Sequence, residues 1–210
     1  MAFNPKKHKR RSIRLKGYNY AAEGLYFVTL CCQNRVSYFG SIRNGEMHLN
    51  ELGKIVAEEW TKTESIRDNI KLHEFIIMPN HMHGIIEILF QKGDEKLAGQ
   101  KALFKSPSQT IGAIIRGYKG ATTKRIKILL AKAAKERSTG ELPFAPTMGE
   151  LPFAPTGRSL SIGKIWQRNY YERIIRNQKA YENISNYIIN NPARWGKDKF
   201  NSSIRKSINP

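Results

Sequence analysis

The part of the sequence that most constrains the fold is the apolar stretch over residues 75–89, which is interrupted by Pro79-Asn80. Proline has no backbone N–H to donate, so it is expected at the ends of strands and not inside them. The remaining residues are largely β-branched or aromatic, as is typical of buried strands. The stretch therefore predicts two strands, Lys71–Met78 and His81–Leu89.

The second of these strands carries two histidines separated by one residue. Because side chains alternate along a strand, His81 and His83 project from one face and Met82 enters the other. Two imidazoles on one face can converge on a single metal ion. The alternative is a pair of partly exposed histidines at a sheet edge. The apolar flanks favour the metal, because two buried imidazoles without a partner are costly.

The rest of the chain predicts a mixed architecture. Its further elements are a central strand Leu25–Gln33, a hairpin over 40–49 around Asn44-Gly45, a helix capped by Asn50 that ends near Ser65, a helix over Ser108–Arg137, a strand over Lys164–Ile175, and a last helix capped by Asn177 and ended by Pro192. Short strands with helices between them predict an α+β fold. We expect an antiparallel sheet covered by helices on one face.

The charge balance of the chain indicates a polyanionic partner. The chain has 36 Lys and Arg against 17 Asp and Glu, a net charge of +19. Nucleic acid and an anionic membrane surface are both candidate partners for so basic a chain. The sequence has no apolar run of about 18 residues, so nucleic acid is favoured. No apolar segment follows the basic N-terminus, so it is not a secretory signal. The adjacent Cys31 and Cys32 indicate buried thiols in a reducing cytoplasm, where we expect the protein to be nucleoid-associated.

Two basic segments are candidates for contact with DNA. Residues 1–17 hold seven Lys or Arg and no acid, so we expect a flexible arm in which Arg10 and Arg11 contact phosphates, the alternative being a solubilising tail. The helix over 108–137 holds eight Lys or Arg and one acid, which favours a DNA-facing surface over a solvated one.

The sequence GELPFAPT occurs twice, at 140–147 and 149–156. Each copy has two prolines and a glycine, so it predicts a duplicated linker without chemistry, the alternative being a peptide-docking motif.

The last predicted helix places a tyrosine and an amide one turn apart. Tyr187 and Asn191 lie on its apolar stripe, where core packing and helix-end capping are the alternatives to function. A phenol is a weak nucleophile at neutral pH, since its pKa is about 10. A divalent ion can offset this by neutralising phosphate oxygens, and tyrosine can then form a covalent phosphodiester.

Together these motifs resemble the single-tyrosine HUH transposases, and within them the REP-associated tyrosine transposases. Four segments carry the resemblance in the family's order: Gly24–Leu30 (GLYFVTL), Phe75–Ile88 (FIIMPNHMHGIIEI), Ile165–Arg176 (IWQRNYYERIIR) and Tyr187–Gly196 (YIINNPARWG). The resemblance implies a ferredoxin-like HUH-endonuclease fold, with helices packed on a central antiparallel sheet and the nucleophile on the last helix. It implies one domain over 18–196, with an insertion at 140–156 and a basic tail over 197–210.

The resemblance also implies roles for individual residues. Tyr187 would be the nucleophile, and His81, His83 and Asn191 would bind Mg²⁺ or Mn²⁺. The substrate would be single-stranded or hairpin DNA, cut through a 5′-phosphotyrosine intermediate, and a homodimer is left open. We expect DNA contacts from Arg116, Lys119, Trp166, Arg168, Tyr170, Tyr171, Arg173 and Arg176. The alternatives are a relaxase or rolling-circle initiator, a domesticated hairpin-binding protein without turnover, and a metal-dependent hydrolase that does not need Tyr187.

Overall fold

A computed structural model describes residues 17–91, 109–139 and 163–201 of the chain. Our predictions for the basic arm with Arg10 and Arg11, for the GELPFAPT duplication and for most of the basic tail lie outside these residues. Within the described ranges, no helix has both the length and the apolar character needed to cross a membrane.

The chain forms a ferredoxin-like α+β fold. Its elements are β1 (Gly24–Cys31), β2 (Gly40–Arg43), β3 (Glu46–Leu49), α1 (Glu51–Ser65), β4 (Ile70–Met78), β5 (His81–Ile88), α2 (Ile111–Thr139), β6 (Tyr171–Ile175) and α3 (Gln178–Ile189). The main sheet has the strand order β4-β5-β1-β6, and every neighbouring pair is antiparallel. Apart from the separate β2-β3 hairpin and α3, the element order is βαββαβ. The predicted fold class is confirmed.

Helices lie on both faces of the sheet, so the expectation of one covered face is wrong. Helices α1 and α2 pack with Val28, Leu30 and Met82 in the larger core. Helix α3 packs on the other face, through Ile184 and Ile188, against Phe27, Ile85 and Ile175. The reason is that β1 and β5 carry apolar side chains at both alternating sets of positions, so each face needs a cover.

Local signals predicted most element boundaries correctly. Asn50 and Asn177 cap α1 and α3 by accepting hydrogen bonds from the backbone N–H three residues later, at 3.0 and 2.9 Å. The β2-β3 turn has φ of 52° at Asn44 and 79° at Gly45, as a tight hairpin turn requires. The strand predicted over 164–175 is too long, because its first half is joined to the sheet only by a single bridge between Trp166 and Cys32.

An irregularity in β4 fixes α3 on the sheet. The register with β5 shifts between Leu72 and Phe75. Within this bulge, Glu74 accepts hydrogen bonds from Tyr181 and Ser185 of α3, both at 3.0 Å. The Tyr181 hydroxyl also lies 3.2 Å from His73 Nδ1. These polar contacts hold the helix that carries Tyr187 against β4, which is paired with the strand that carries His81 and His83.

Candidate metal and nucleophile site

The two histidines of β5 meet on the face that α3 covers. His81 is fully buried and His83 is 1% exposed, and their Nε2 atoms lie 3.1 Å apart. Thr29 of β1 pairs with His83 across the sheet, and its Oγ1 lies 2.8 Å from His83 Nδ1. The predicted convergence of the two imidazoles on one point is therefore present in the fold.

The tautomer of His81 is set by Asn80. The Nδ2 group of Asn80 donates to the carbonyls of Arg35 and Phe200, at 3.1 and 2.8 Å. Its Oδ1 therefore faces His81 Nδ1, at 2.9 Å, and the imidazole must donate there. The lone pair of His81 is then on Nε2 and points at the partner histidine. Outer hydrogen bonds of this kind orient metal-binding histidines.

Burial keeps both imidazoles neutral. It lowers the pKa of His83 to about 3, with a smaller contribution from Lys199. It also lowers the pKa of His81 well below its usual value, and the nearby His83, Arg35 and Lys199 add to this effect. Neutral imidazole is the form that binds a metal, so the pair is available as ligands at physiological pH.

The side chains around the histidine pair fit a divalent ion. Ligand bonds of about 2.1 Å at right angles place two ligand atoms about 3.0 Å apart, close to the Nε2 separation. The carboxylate of Asp198 and both imidazoles offer ligand atoms that lie within 4.8 Å of one another. Asn191 is 1% exposed, and its Oδ1 has no hydrogen-bond partner among the described residues. A buried amide oxygen without a partner is costly, and a bound cation would supply one.

Tyr187 reaches this site from α3. Its hydroxyl lies 3.2 Å from His83 Nε2, and its ring contacts Phe27 edge-on with centroids 6.3 Å apart. Burial raises the pKa of Tyr187 above its usual value of 10.0, the charge of Asp198 adds to this, and the Asn191 amide opposes it. The phenol is therefore protonated at neutral pH and would have to lose its proton to act as a nucleophile.

A basic groove of about 1110 Å³ opens beside Tyr187 and His83. Its charged lining residues are Arg35, Arg173, Arg194, Lys197 and Lys199, with Asp198 as the acid among them. Tyr170 and Tyr171 also line it, and Tyr171 is 48% exposed. An excess of cations with an exposed aromatic ring suits a polyanion that carries flat bases.

The structure brings some of the predicted DNA-binding residues to this groove and not others. Tyr170, Tyr171 and Arg173 line it. Arg168 lines a second groove of about 680 Å³ together with Lys119, and Arg176 is exposed just after β6. Arg116 is exposed on α2, which covers the opposite face of the sheet.

Two of the predicted DNA contacts are already engaged inside the protein. Trp166 is 6% exposed and donates its indole N–H to Thr122 at 2.9 Å, so its interpretation as a base-stacking surface is wrong. The Lys119 ammonium donates to the carbonyls of Gln167 and Asn169, at 2.8 and 3.1 Å. Burial lowers the pKa of Lys119 to about 8. Its first role is to hold the segment before β6.

Sequence reasoning missed four residues that the fold brings to the site. They are Arg35, Asp198, Lys199 and Phe200, whose ring centroid lies 4.6 Å from that of His81. The only sequence signal for Asp198 was a lone acid between Lys197 and Lys199. Arg35 gave none, because its proximity to the histidines depends on strand pairing.

Comparison with known proteins finds similar proteins both in sequence and among solved structures. No protein-family model matches the chain. A REP-associated tyrosine transposase, solved bound to a REP hairpin, is 18% identical with a TM-score of 0.49, over 89% of this chain and 77% of that one. A Deinococcus radiodurans R1 protein described as a transposase is 15% identical with a TM-score of 0.35, over 85% of this chain and 97% of that one. Because both TM-scores are below 0.5, neither structural similarity indicates the activity of this chain.

The relative is close in sequence over nearly its whole length. It is a Haemophilus influenzae protein of uncharacterised function, 40% identical over 202 residues, which are 94% of this chain and 96% of that protein. Identity at this level over this length establishes common descent, and the chain belongs to the same protein family as the Haemophilus influenzae protein.

Proposed function

We propose that the chain cuts and rejoins single-stranded DNA through a covalent bond between Tyr187 and the 5′ phosphate of the cut strand. The observation that carries the proposal is the position of the Tyr187 hydroxyl, 3.2 Å from His83 Nε2 and inside a basic groove. A tyrosine that served only for packing would not need a buried histidine pair beside its hydroxyl. The resemblance noted from the sequence motifs agrees with this chemistry and suggests hairpin-containing DNA as the substrate.

The metal-binding part of the proposal rests on four side chains. His81 and His83 would bind the ion through Nε2, with oxygen ligands from Asn191 and Asp198. Oxygen donors beside imidazole suit Mg²⁺ or Mn²⁺. When bound, such an ion supplies positive charge that neutralises a phosphate oxygen and orients the scissile bond.

The reaction exchanges one phosphodiester for another. Tyr187 Oη attacks the scissile phosphorus, its proton passes to solvent, and the O–P bond of the phosphotyrosine forms. The P–O3′ bond breaks, and the departing 3′ oxygen takes up a proton to become a 3′-OH. Attack by a second 3′-OH reverses these steps and frees Tyr187. Because the phosphodiester energy is kept in the adduct, rejoining needs no nucleotide cofactor.

The groove would position the strand for this attack. Arg173, Arg194 and Lys197 line it and would contact the phosphates that flank the scissile one. Tyr171, which projects into the groove with 48% of its surface exposed, would stack on a base. These contacts do not depend on base identity, so they suit single-stranded DNA of many sequences.

A denaturing gel with differently labelled strands tests the proposal. Hairpin-containing single strands labelled at the 3′ end should shift to a protein-linked band in Mn²⁺, while strands labelled at the 5′ end should give a shorter free product. Tyr187→Phe should lose the band, and the matched variant Tyr171→Phe should keep it. Cleavage that persists in Tyr187→Phe would indicate a metal-dependent hydrolase, and tight hairpin binding without any adduct would indicate a binding protein without turnover.

A further inference from the structure

The turn after β1 has an unfavourable backbone conformation next to the histidines. Residues Gln33–Arg35 form a short 3-10 turn in which Asn34 has φ of 54° and Arg35 has φ of 56°. Asparagine tolerates the left-handed region, but an arginine held there costs free energy. Backbone strain of this kind clusters at functional sites, where the surrounding contacts maintain it.

Contacts on both ends of Arg35 hold it beside the metal-binding histidines. Its carbonyl accepts the hydrogen bond from Asn80, the residue that orients His81. Its guanidinium lies over the Phe200 ring, 4.3 Å from the centroid. The same ring is 4.6 Å from the His81 ring, centroid to centroid. The position of the Arg35 charge is therefore linked to the histidine pair through Asn80 and Phe200.

The Arg35 guanidinium has an unused donor. Its NH1 atom is buried and has no hydrogen-bond partner among the described residues. A buried, charged donor without an acceptor is costly, so an acceptor is expected. The side chain lines the basic groove, as does Lys199, whose ammonium lies 5.0 Å from the same Phe200 ring. Both cations thus line one groove and pack on the same aromatic ring, and the acceptor that suits them is an anion.

We propose that Arg35, assisted by Lys199, binds a non-bridging oxygen of the DNA phosphodiester that lies at the histidine pair. A guanidinium presents its N–H donors in a rigid plane that suits phosphate oxygens, which the point charge of a lysine ammonium does not reproduce. The identification of this phosphate as the scissile one rests on the proposed function, but the binding of a phosphodiester does not. Arg35 would then be the residue that fixes the phosphate relative to Tyr187.

The test uses the full chain and a ligand with a single phosphodiester, the dinucleotide dTpdT. Its affinity is measured by ³¹P NMR titration in EDTA at low salt. Arg35→Met keeps an apolar stem against Phe200 but removes the guanidinium, and it should weaken dTpdT binding about tenfold or more. The control Lys54→Met also removes one charge. Lys54 is exposed on α1 and paired with Glu51 at 2.6 Å, so dTpdT affinity should be nearly unchanged.

Two further measurements separate phosphate binding from a structural role. The affinity for Mn²⁺, measured by electron paramagnetic resonance of the free ion, should be equal or higher in Arg35→Met, because a repelling charge is gone. A supporting role through Asn80 predicts weaker Mn²⁺ binding instead. Arg35→Gly should melt at the same or a higher temperature, because glycine tolerates φ of 56°, and it should still lose dTpdT affinity.

Unchanged dTpdT affinity in both Arg35 variants, or no dTpdT binding by the unaltered chain, would overturn the proposal. A parallel loss of dTpdT and Mn²⁺ affinity would overturn it too, because it would assign Arg35 to the support of the histidines. If Tyr187 forms no adduct while dTpdT binding still depends on Arg35, the phosphate site stands and the strand-transfer function fails.

Discussion

The two faces of the central sheet use the same strands for different purposes. Towards α1 and α2, β5 presents Met82 and Gly84, and a β-carbon at Gly84 would lie 2.5 Å from the ring of Trp60. Towards α3, the same strand presents His81 and His83. Asn191 lines a groove with His83, and its buried Oδ1 has no hydrogen-bond partner within the described part of the chain. One face is filled by apolar packing, and the other combines apolar packing with the buried histidine pair. Alternation along a strand therefore lets adjacent residues serve stability and chemistry separately.

The largest expected effect is a loss of metal binding and DNA cleavage in a variant of the histidine face that still folds. His83→Ala removes one of the two Nε2 atoms that would bind the ion, so Mn²⁺ affinity and DNA cleavage should both fall to background. Without metal, the melting temperature of His83→Ala should stay close to that of the unaltered chain. Near-normal cleavage in His83→Ala, measured with an excess of Mn²⁺, would contradict a joint role for the two histidines.

Acid should destabilise the fold through the histidine that faces α3. The pKa of His83 is about 3 in the folded chain and about 6.5 when unfolded, so folding favours the neutral form. The stability from this shift is present above pH 6.5 and is lost as the pH falls towards 3, by an amount on the order of 4 kcal/mol. Urea unfolding of the metal-free chain at pH 7 and pH 4 measures the loss. His83→Ala should lose less stability over the same range, and an equal loss in both proteins would assign it to other groups.

The neighbouring methionine should show the opposite behaviour to the histidine. Met82 is fully buried in the larger core, so Met82→Ala should lower the free energy of unfolding by about 2–5 kcal/mol. Mn²⁺ affinity should remain, because Met82 points away from the histidine pair. Urea denaturation and Mn²⁺ titration of the same variant provide the comparison. If Met82→Ala lost Mn²⁺ affinity while still folded, the two faces would not be independent.

The smallest effect is expected at Asn80, which lies between β4 and β5 and contacts His81. Asn80→Ala removes the acceptor that sets the His81 tautomer, so Mn²⁺ affinity should fall about 10–100-fold. Asn80→Asp keeps an acceptor towards His81 and should recover part of the affinity. Equal losses in both variants would show that the bonds from Asn80 Nδ2 to Arg35 and Phe200 matter more than the histidine tautomer.

Local signals in the sequence were sufficient to predict most of the helices and strands and the shared face of the two histidines. Caps at Asn50 and Asn177, the Asn44-Gly45 turn and the alternation around Met82 each depend on a few neighbouring residues. The helical period also predicted that Tyr187 lies on the last helix, and its hydroxyl lies 3.2 Å from His83 Nε2. Asn191, expected on the same helix, follows the end of α3 and lines the same groove as His83.

Features that depend on contacts between residues far apart in the sequence could not be predicted from such local signals. The burial of Trp166 follows from its bridge to Cys32 and its hydrogen bond to α2, far away in sequence. Asp198 and Phe200 reach the site because the segment after α3 runs back past the start of β5. There the Asn80 Nδ2 group donates a hydrogen bond to the Phe200 carbonyl. The placement of α3 opposite α1 and α2 likewise depends on which face of the sheet remains uncovered.

The most direct measurement of the central claim is the chemical identity of the residue that carries DNA. The chain is incubated with hairpin-containing single strands and Mn²⁺, digested with nuclease and trypsin, and examined by mass spectrometry for a nucleotide on tyrosine. We expect a single modified residue, Tyr187, linked through the 5′ phosphate. A nucleotide on Tyr170, Tyr171 or Tyr181, or cleaved DNA with no modified tyrosine, would contradict it.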